Sequence, residues 1–303
     1  MEDFITPLDY VSGSSILPEG TFGISLSSMN DFVTAPHKWY RDNVLGEKSF
    51  TGSTASVLGT IVHYCAEQIV KTGKVDKLEI YDYIFKECVV KKNIPEYLSI
   101  RNSGEDIDEV EEALTEYLSD KGNNENIDAV IILDQWKYMG NAVITYLQSE
   151  PKPLQTEQMI NVEVTPGYYA AGSADSLVGN ERSACLVDYK TTSEKSPKKY
   201  IPLNYKYQLL TYAYIYNKMG IKVDRIRIVW VTRNETGRIS ETNGKPLKDY
   251  PSKVEVVTEM ITRVDLDFIE SLLKLVAETV EAGKNHPELL HVIWKDYRLK
   301  QKD

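Results

Sequence analysis

An aspartate and a lysine two residues apart, Asp188 and Lys190, stand inside the apolar run "ACLVDYKTT". Side chains of a strand alternate between its faces, so Leu186, Asp188 and Lys190 share one face and Cys185, Val187 and Tyr189 the other. Burying a charge is costly unless it is paired or holds a metal. The Cys185 face is therefore expected in the core, and the charged face near an open site at the strand end.

Upstream, Asp175 follows the small residues of "AAGSA", which let a backbone or ligand approach closely. A hairpin turn at Gly179-Asn180 brings Asp175 near Asp188 across the strand pair. Two carboxylates at that distance repel unless a proton or cation lies between them. Aspartate oxygens at an open site suit Mg²⁺ or Mn²⁺. A lysine beside such a cation can orient an attacking water and offset phosphoryl charge. An isolated D-x-K is more often a surface ion pair, so its meaning depends on its neighbours.

The bulk numbers narrow the field. The 303 residues, 42% hydrophobic and 26% charged, suit a globular protein of one large domain or two modest ones. A formal net charge of −10 argues against a basic coat for nonspecific nucleic-acid binding, but permits a local basic groove. No apolar run is long enough to span a bilayer, so no membrane association is expected. The acidic opening "MEDFITPLDY" does not read as a signal peptide. Cys65, Cys88 and Cys185 are scattered, odd in number and form no CxxC pair. They fit a reducing, cytoplasmic setting rather than disulfides, zinc or an iron–sulfur cluster.

Along the chain, the first 24 residues read as loosely structured. Serines of "SLSSMNDFVTAPHKWYRDNV" cap a helix that Pro36 interrupts. A helix is predicted over 55–71, ending at Gly73, and residues 76–150 read as helical, with a turn in "KGNNEN". "MINVEVTPGYYAAGSADSLVG" and "SACLVDYKTT" read as two strands, "YKYQLLTYAYIYNKMG" as a helix, and "DRIRIVWVTR" and "SKVEVVTEMIT" as strands. A last helix stops near Gly283. The order predicts an α/β fold with a mixed sheet.

Four ordered motifs resemble the PD-(D/E)XK nuclease superfamily, and within it the branch typified by RecB and phage recombination exonucleases. They are Gly59 with His63 in "LGTIVHYCAE", Gly172 with Asp175, Asp188 with Lys190 and Thr191, and Gln208 with Tyr212. The opening "SLSSMNDFVTAPHKWY" is similar to that branch's N-terminal motif. Ala35 stands where many members have a cysteine, which with the absent C-terminal cysteines implies that the iron–sulfur cluster of some members is missing here.

The resemblance implies a restriction-endonuclease-like core, with a central mixed sheet flanked by helices. Residues 1–303 would form one nuclease domain, with 25–75 and 151–290 as its core and 76–150 as a helical lobe or insertion. It implies that one or two Mg²⁺ or Mn²⁺ ions sit on His63, Asp175, Asp188 and the Tyr189 carbonyl. Asp175, Asp188 and Lys190 would be catalytic, and Gln208, Tyr212, Thr191, Lys198 and Lys199 would contact substrate. The implied activity is hydrolysis of DNA, as an exonuclease needing a free end and leaving 5′-phosphates. The implied setting is recombination, repair or phage DNA processing, with a recombination or replication protein as a partner. A noncatalytic DNA-binding scaffold and an RNA or nucleotide phosphodiesterase are the alternatives.

Other polar residues have plainer readings. Glu67, one turn after His63, reads as its supporting partner or a solvated acid, and Glu163 as a site acid or a solvent-facing strand residue. Lys195 extends the basic loop of Lys198 and Lys199, and His37, Lys38 and Arg41 form a smaller basic group. Tyr205, Tyr207, Tyr214 and Tyr216 read mostly as core.

Overall fold

The computed structural model describes residues 17–47, 52–88, 94–103, 107–121, 126–193 and 197–286. The first 16 residues, Lys195 and most of the expected turn in "KGNNEN" lie outside them.

Six strands form one mixed sheet: β1 (Phe22–Ser25), β2 (Gln155–Thr165), β3 (Tyr168–Asn180), β4 (Ser183–Thr192), β5 (Val223–Thr232) and β6 (Val254–Met260). Their order is β1-β3-β4-β5-β6, with β2 also on β3. The β1–β3 and β4–β5 pairs are parallel and the others antiparallel.

Three expectations need correction here. The stretch 159–179, read as one strand, is the end of β2 and most of β3, separated by a tight turn in which Gly167 takes φ +79°. The first 24 residues, read as loosely structured, contain most of β1, an edge strand too short for its alternation to show. The next hairpin turn lies two residues beyond the expected Gly179-Asn180, at Glu181-Arg182. There Asn180 Oδ1 accepts the N–H groups of Arg182 and Ser183 at 2.9 and 3.2 Å.

Helices cover both faces of the sheet. On one side α1 (Met29–Thr34), α2 (Pro36–Asn43), α8 (Leu203–Lys218) and α9 (Arg263–Asn285) share a core with Leu186, Ile226 and Ile228. On the other lie α3 (Thr54–Thr72), α4 (Lys77–Cys88), α5 (Ile94–Arg101), α6 (Ile107–Lys121) and α7 (Ala129–Ser149). Their apolar faces join Cys185, Val187, Tyr189, Val229 and Val231 in a second core. The Cys185 face is thus in a core as expected, but so is the Leu186–Asp188 face. β4 is buried on both sides, as strands with a parallel neighbour usually are.

Local signals set the helices that frame the site. Ser53 and Ser56 close a capping box on α3, and Gly73 ends it at φ +77°. Pro36 separates α1 from α2, whose buried Trp39 donates its indole N–H to Ser28 Oγ at 2.8 Å. Gly283 does not stop α9, which continues to Asn285. A Cβ there would lie 2.5 Å from the Tyr40 hydroxyl, so the glycine lets α9 close on α2.

The feature that positions the site is a fork in the sheet. One edge of β3 pairs with β1 through Phe22↔Tyr168 to Ser25↔Ala171, and with β4 from Ser176↔Val187 onwards. Residues 172–175 fall between these neighbours, and Gly172 and Asp175 sit in that gap.

Candidate active site

Asp175 fills the fork with its side chain. Its Oδ2 accepts the backbone N–H of Tyr189 at 2.8 Å, in place of the next rung of the β3–β4 ladder. The N–H and C=O of a strand residue project to the same edge. The Tyr189 carbonyl therefore also faces the gap. His63, on the third turn of α3, places Nδ1 3.2 Å from the same Asp175 oxygen.

Glu157 on β2 completes a group that the sequence reading missed. Ligand atoms of His63, Glu157 and Asp175 all lie within 4.8 Å of one another. Ladder pairs Thr156↔Ser176 and Gln158↔Ala174 flank Glu157, which puts it opposite Asp175. It has φ +49° near the start of β2, the left-handed region that a glutamate seldom adopts. Its Oε2 takes a hydrogen bond from Ser173 Oγ at 3.1 Å.

Asp188 and Lys190 stand beside this group. The Lys190 ammonium is 2.8 Å from both Asp188 oxygens, and only Oδ1 accepts it at a good angle. Asp188 is 3% exposed and its Oδ2 has no hydrogen bond of its own. An acceptor left in this state has capacity for a cation.

The electrostatics follow from this crowding. Burial favours neutral His63, but Asp175 outweighs it and lifts the imidazole above its ordinary range. Burial acts on Asp175 too, yet His63, Lys190 and the Tyr189 N–H hold it below the ordinary carboxylate value. Burial pushes Asp188 up; Lys190 opposes this and the Asp175 charge adds to it. Lys190 stays above its usual value because Asp188 and Asp175 exceed the cost of its burial. Burial, then repulsion from Asp175, carries Glu157 to about 7. An imidazole, several crowded carboxylates and an inward-facing carbonyl form a donor set that fits a hard divalent cation.

A cavity of about 510 Å³ opens from the group, lined by His63, Glu157, Asp175, Lys190, Gln208 and Tyr212 among others. Gln208 and Tyr212, four apart on α8, both face it. Gly172 makes room for Tyr212: a Cβ there would lie 3.0 Å from the tyrosine hydroxyl and 3.3 Å from Leu26. The remaining expected residues lie around it. Among the described residues, Asp188, Tyr189, Thr191, Lys198 and Lys199 do not line the cavity, and Asp188, expected as a metal ligand, is not one of the three residues whose ligand atoms converge. Thr191 lies against Gly59 of α3. Lys198 and Lys199 are exposed on the loop after β4, with Lys198 over the Tyr200 ring at 5.8 Å.

The secondary candidates resolve simply. Glu163 accepts the Gly167 N–H at 3.0 Å and braces the β2–β3 turn. Glu67 is tied to Lys71. Lys38 pairs with Asp42 at 2.9 Å and Arg41 with Glu47 at 2.7 Å, which neutralises that basic group. Tyr214 and Tyr216 are buried, and Tyr205 and Tyr207 pack partly buried against the same core. Among the described residues, no helix is long and apolar enough to cross a membrane.

Comparison with known proteins gives no match among curated sequences. Among solved structures, the chain is similar to a protein of Eubacterium rectale provisionally designated an exonuclease. The identity is 16%, with 93% of this chain and 86% of that one covered at a TM-score of 0.45. It is also similar to an alkaline exonuclease from Laribacter hongkongensis, at 13% identity over 67% of this chain and 93% of that one, TM-score 0.30. A phage-related exonuclease from Haemophilus somnus matches at 11% identity over 80% and 99%, TM-score 0.33. The family model of the PD-(D/E)XK nuclease superfamily matches residues 23–289, a span that holds the fork, His63 and the Asp188–Lys190 strand. The chain belongs to the PD-(D/E)XK nuclease superfamily.

Proposed function

We propose that the protein is a divalent-metal-dependent deoxyribonuclease that cuts from a free DNA end. The observation that supports this reading best is the convergence of His63, Glu157 and Asp175 beside the Asp188–Lys190 pair. His63, Glu157, Asp175, Asp188 and the Tyr189 carbonyl would hold one or two Mg²⁺ or Mn²⁺ ions. Such an ion neutralises phosphoryl charge and lowers the pKa of water.

The protein groups have distinct tasks. Asp175 and Asp188 would supply the carboxylates that hold the ion. Lys190, held by Asp188, orients the attacking water and offsets charge as the phosphodiester is displaced in line. Gln208 and Tyr212 hold the strand against the opposite wall. Thr191, Lys198 and Lys199 meet the flanking phosphates, contacts that position nucleic acid without reading its sequence. A cavity of about 510 Å³ is ligand-sized, which favours a strand end over an extended duplex.

Recombination, repair or phage DNA processing, with a recombination or replication protein as partner, is the setting we propose from family membership alone. A reducing, cytoplasmic location fits the free, buried Cys65 and Cys185.

Digestion of end-labelled single- and double-stranded DNA and matching RNA, with Mg²⁺, Mn²⁺ or EDTA, tests the reading. The expected result is stepwise shortening of linear DNA, stopped by EDTA, with closed circles left intact. Folded protein that cuts nothing with either ion would point to a noncatalytic DNA-binding module. Preference for the RNA would reassign the substrate.

A further inference from the structure

We propose that Tyr205 is a positioning residue for Lys190, its ring face holding the ammonium where it meets the scissile phosphate. This rests on Lys190 acting as proposed above.

Three observations carry it. The Lys190 ammonium lies 5.4 Å from the Tyr205 ring centroid while it donates to Asp188 Oδ1 at 2.8 Å. Trp230, the β5 ladder partner of Lys190, meets the Tyr205 ring edge-on at 5.6 Å and 76°. The first turn of α8 is fixed in place: Glu259 of β6 accepts the Ile201 N–H at 2.7 Å and the Lys206 ammonium at 2.8 Å. The Tyr205 N–H is bonded to Pro202 O at 3.0 Å.

Helix geometry gives the same assignment. Tyr205, Gln208 and Tyr212 stand at i, i+3 and i+7, one face of α8. Gln208 and Tyr212 line the cavity, so Tyr205 belongs to the face that looks at the site. Its reading as ordinary core accounts for its packing but not for the ammonium over its ring. A lysine side chain has a flexible four-carbon stem, and Asp188 alone fixes only its end. An aromatic face is a second attachment that restricts the ammonium without competing for its donors.

The test compares Tyr205→Leu, which keeps apolar volume, with Tyr205→Phe, which keeps the ring. Linear DNA cleavage is followed in Mn²⁺, and thermal unfolding is measured in wild-type and Lys190→Met backgrounds. Tyr205→Leu is expected to lower kcat about 3- to 30-fold with KM unchanged, and Tyr205→Phe to rescue kcat to within about twofold. The melting-temperature loss from Tyr205→Leu should be smaller in Lys190→Met than in wild type. Unchanged kcat in Tyr205→Leu, an equal loss in Tyr205→Phe, or the same melting loss in both backgrounds overturns the inference. Wild-type protein that cleaves nothing would instead refute the nuclease reading, and the melting comparison would still decide the Tyr205–Lys190 contact.

Discussion

Asp175 takes the backbone N–H of Tyr189 on its carboxylate at 2.8 Å, at the point where the β3–β4 ladder ends. A side chain thus completes the sheet and supplies the centre of the site at once. The two roles separate by substitution. Asp175→Asn keeps an acceptor for Tyr189, and should fold normally while losing about 10²–10⁴-fold in cleavage. Asp175→Ala also strands a buried N–H, and should cost about 1–3 kcal/mol more in stability. Denaturant unfolding of both variants checks this; equal stabilities would remove the structural role.

Glu157 makes the metal-free protein sensitive to pH. Its carboxyl is carried from an ordinary 4.5 to about 7, so the folded state binds this proton more tightly than the unfolded state does. The stability it contributes is complete below about 4.5 and lost as pH rises through about 7. In EDTA, Glu157→Gln should therefore unfold a few degrees above wild type at pH 8, a difference of about 1–3 kcal/mol, and match it at pH 4.5. Melting curves across that range decide it. Parallel profiles would mean that neither burial nor Asp175 raises the Glu157 carboxyl.

The Asp188–Lys190 pair is buried, so single alanine substitutions do more than remove chemistry. Lys190→Ala leaves an uncompensated carboxylate at 3% exposure, and should lose about 3–5 kcal/mol together with cleavage. Adding Asp188→Asn to Lys190→Met should restore most of the stability and none of the activity. A double variant no more stable than Lys190→Ala would contradict the pairing.

Gly172 serves Tyr212. Gly172→Ala places a methyl 3.0 Å from the tyrosine hydroxyl, and should displace the ring and lower kcat/KM about tenfold. Tyr212→Phe added to it removes the nearest clashing atom and should recover part of that loss. Kinetics of the single and double variants on linear DNA test the pairing; strictly additive losses would argue against it.

How much of this was legible depended on the kind of signal. Asp188 and Lys190 were readable because strand alternation puts them on one face whatever surrounds it. His63 and Asp175 were readable because motif order survives unknown topology. Glu157 was not. With the turn at Pro166-Gly167, Thr165 faces Tyr168, and an unbroken register would put Gln158 opposite Asp175. A shift of one residue between Glu163 and Thr165 brings Glu157 there instead. Nothing in the sequence marks that bulge, and only recognising the hairpin would have narrowed the choice to these two residues. Gly283 shows the same limit: a helix-ending glycine and one that admits a tyrosine from another helix look alike until the helices are packed.

The central claim is that His63, Glu157 and Asp175 hold a divalent cation beside Lys190. The most direct measurement is an anomalous-difference map from crystals grown with Mn²⁺ at a concentration that supports cleavage. The account predicts a peak in the fork, at about 2.0–2.3 Å from oxygens of Asp175 and from Glu157 or His63. A fork without a peak in protein that is cleaving DNA, or Mn²⁺ bound only at another place, would contradict it.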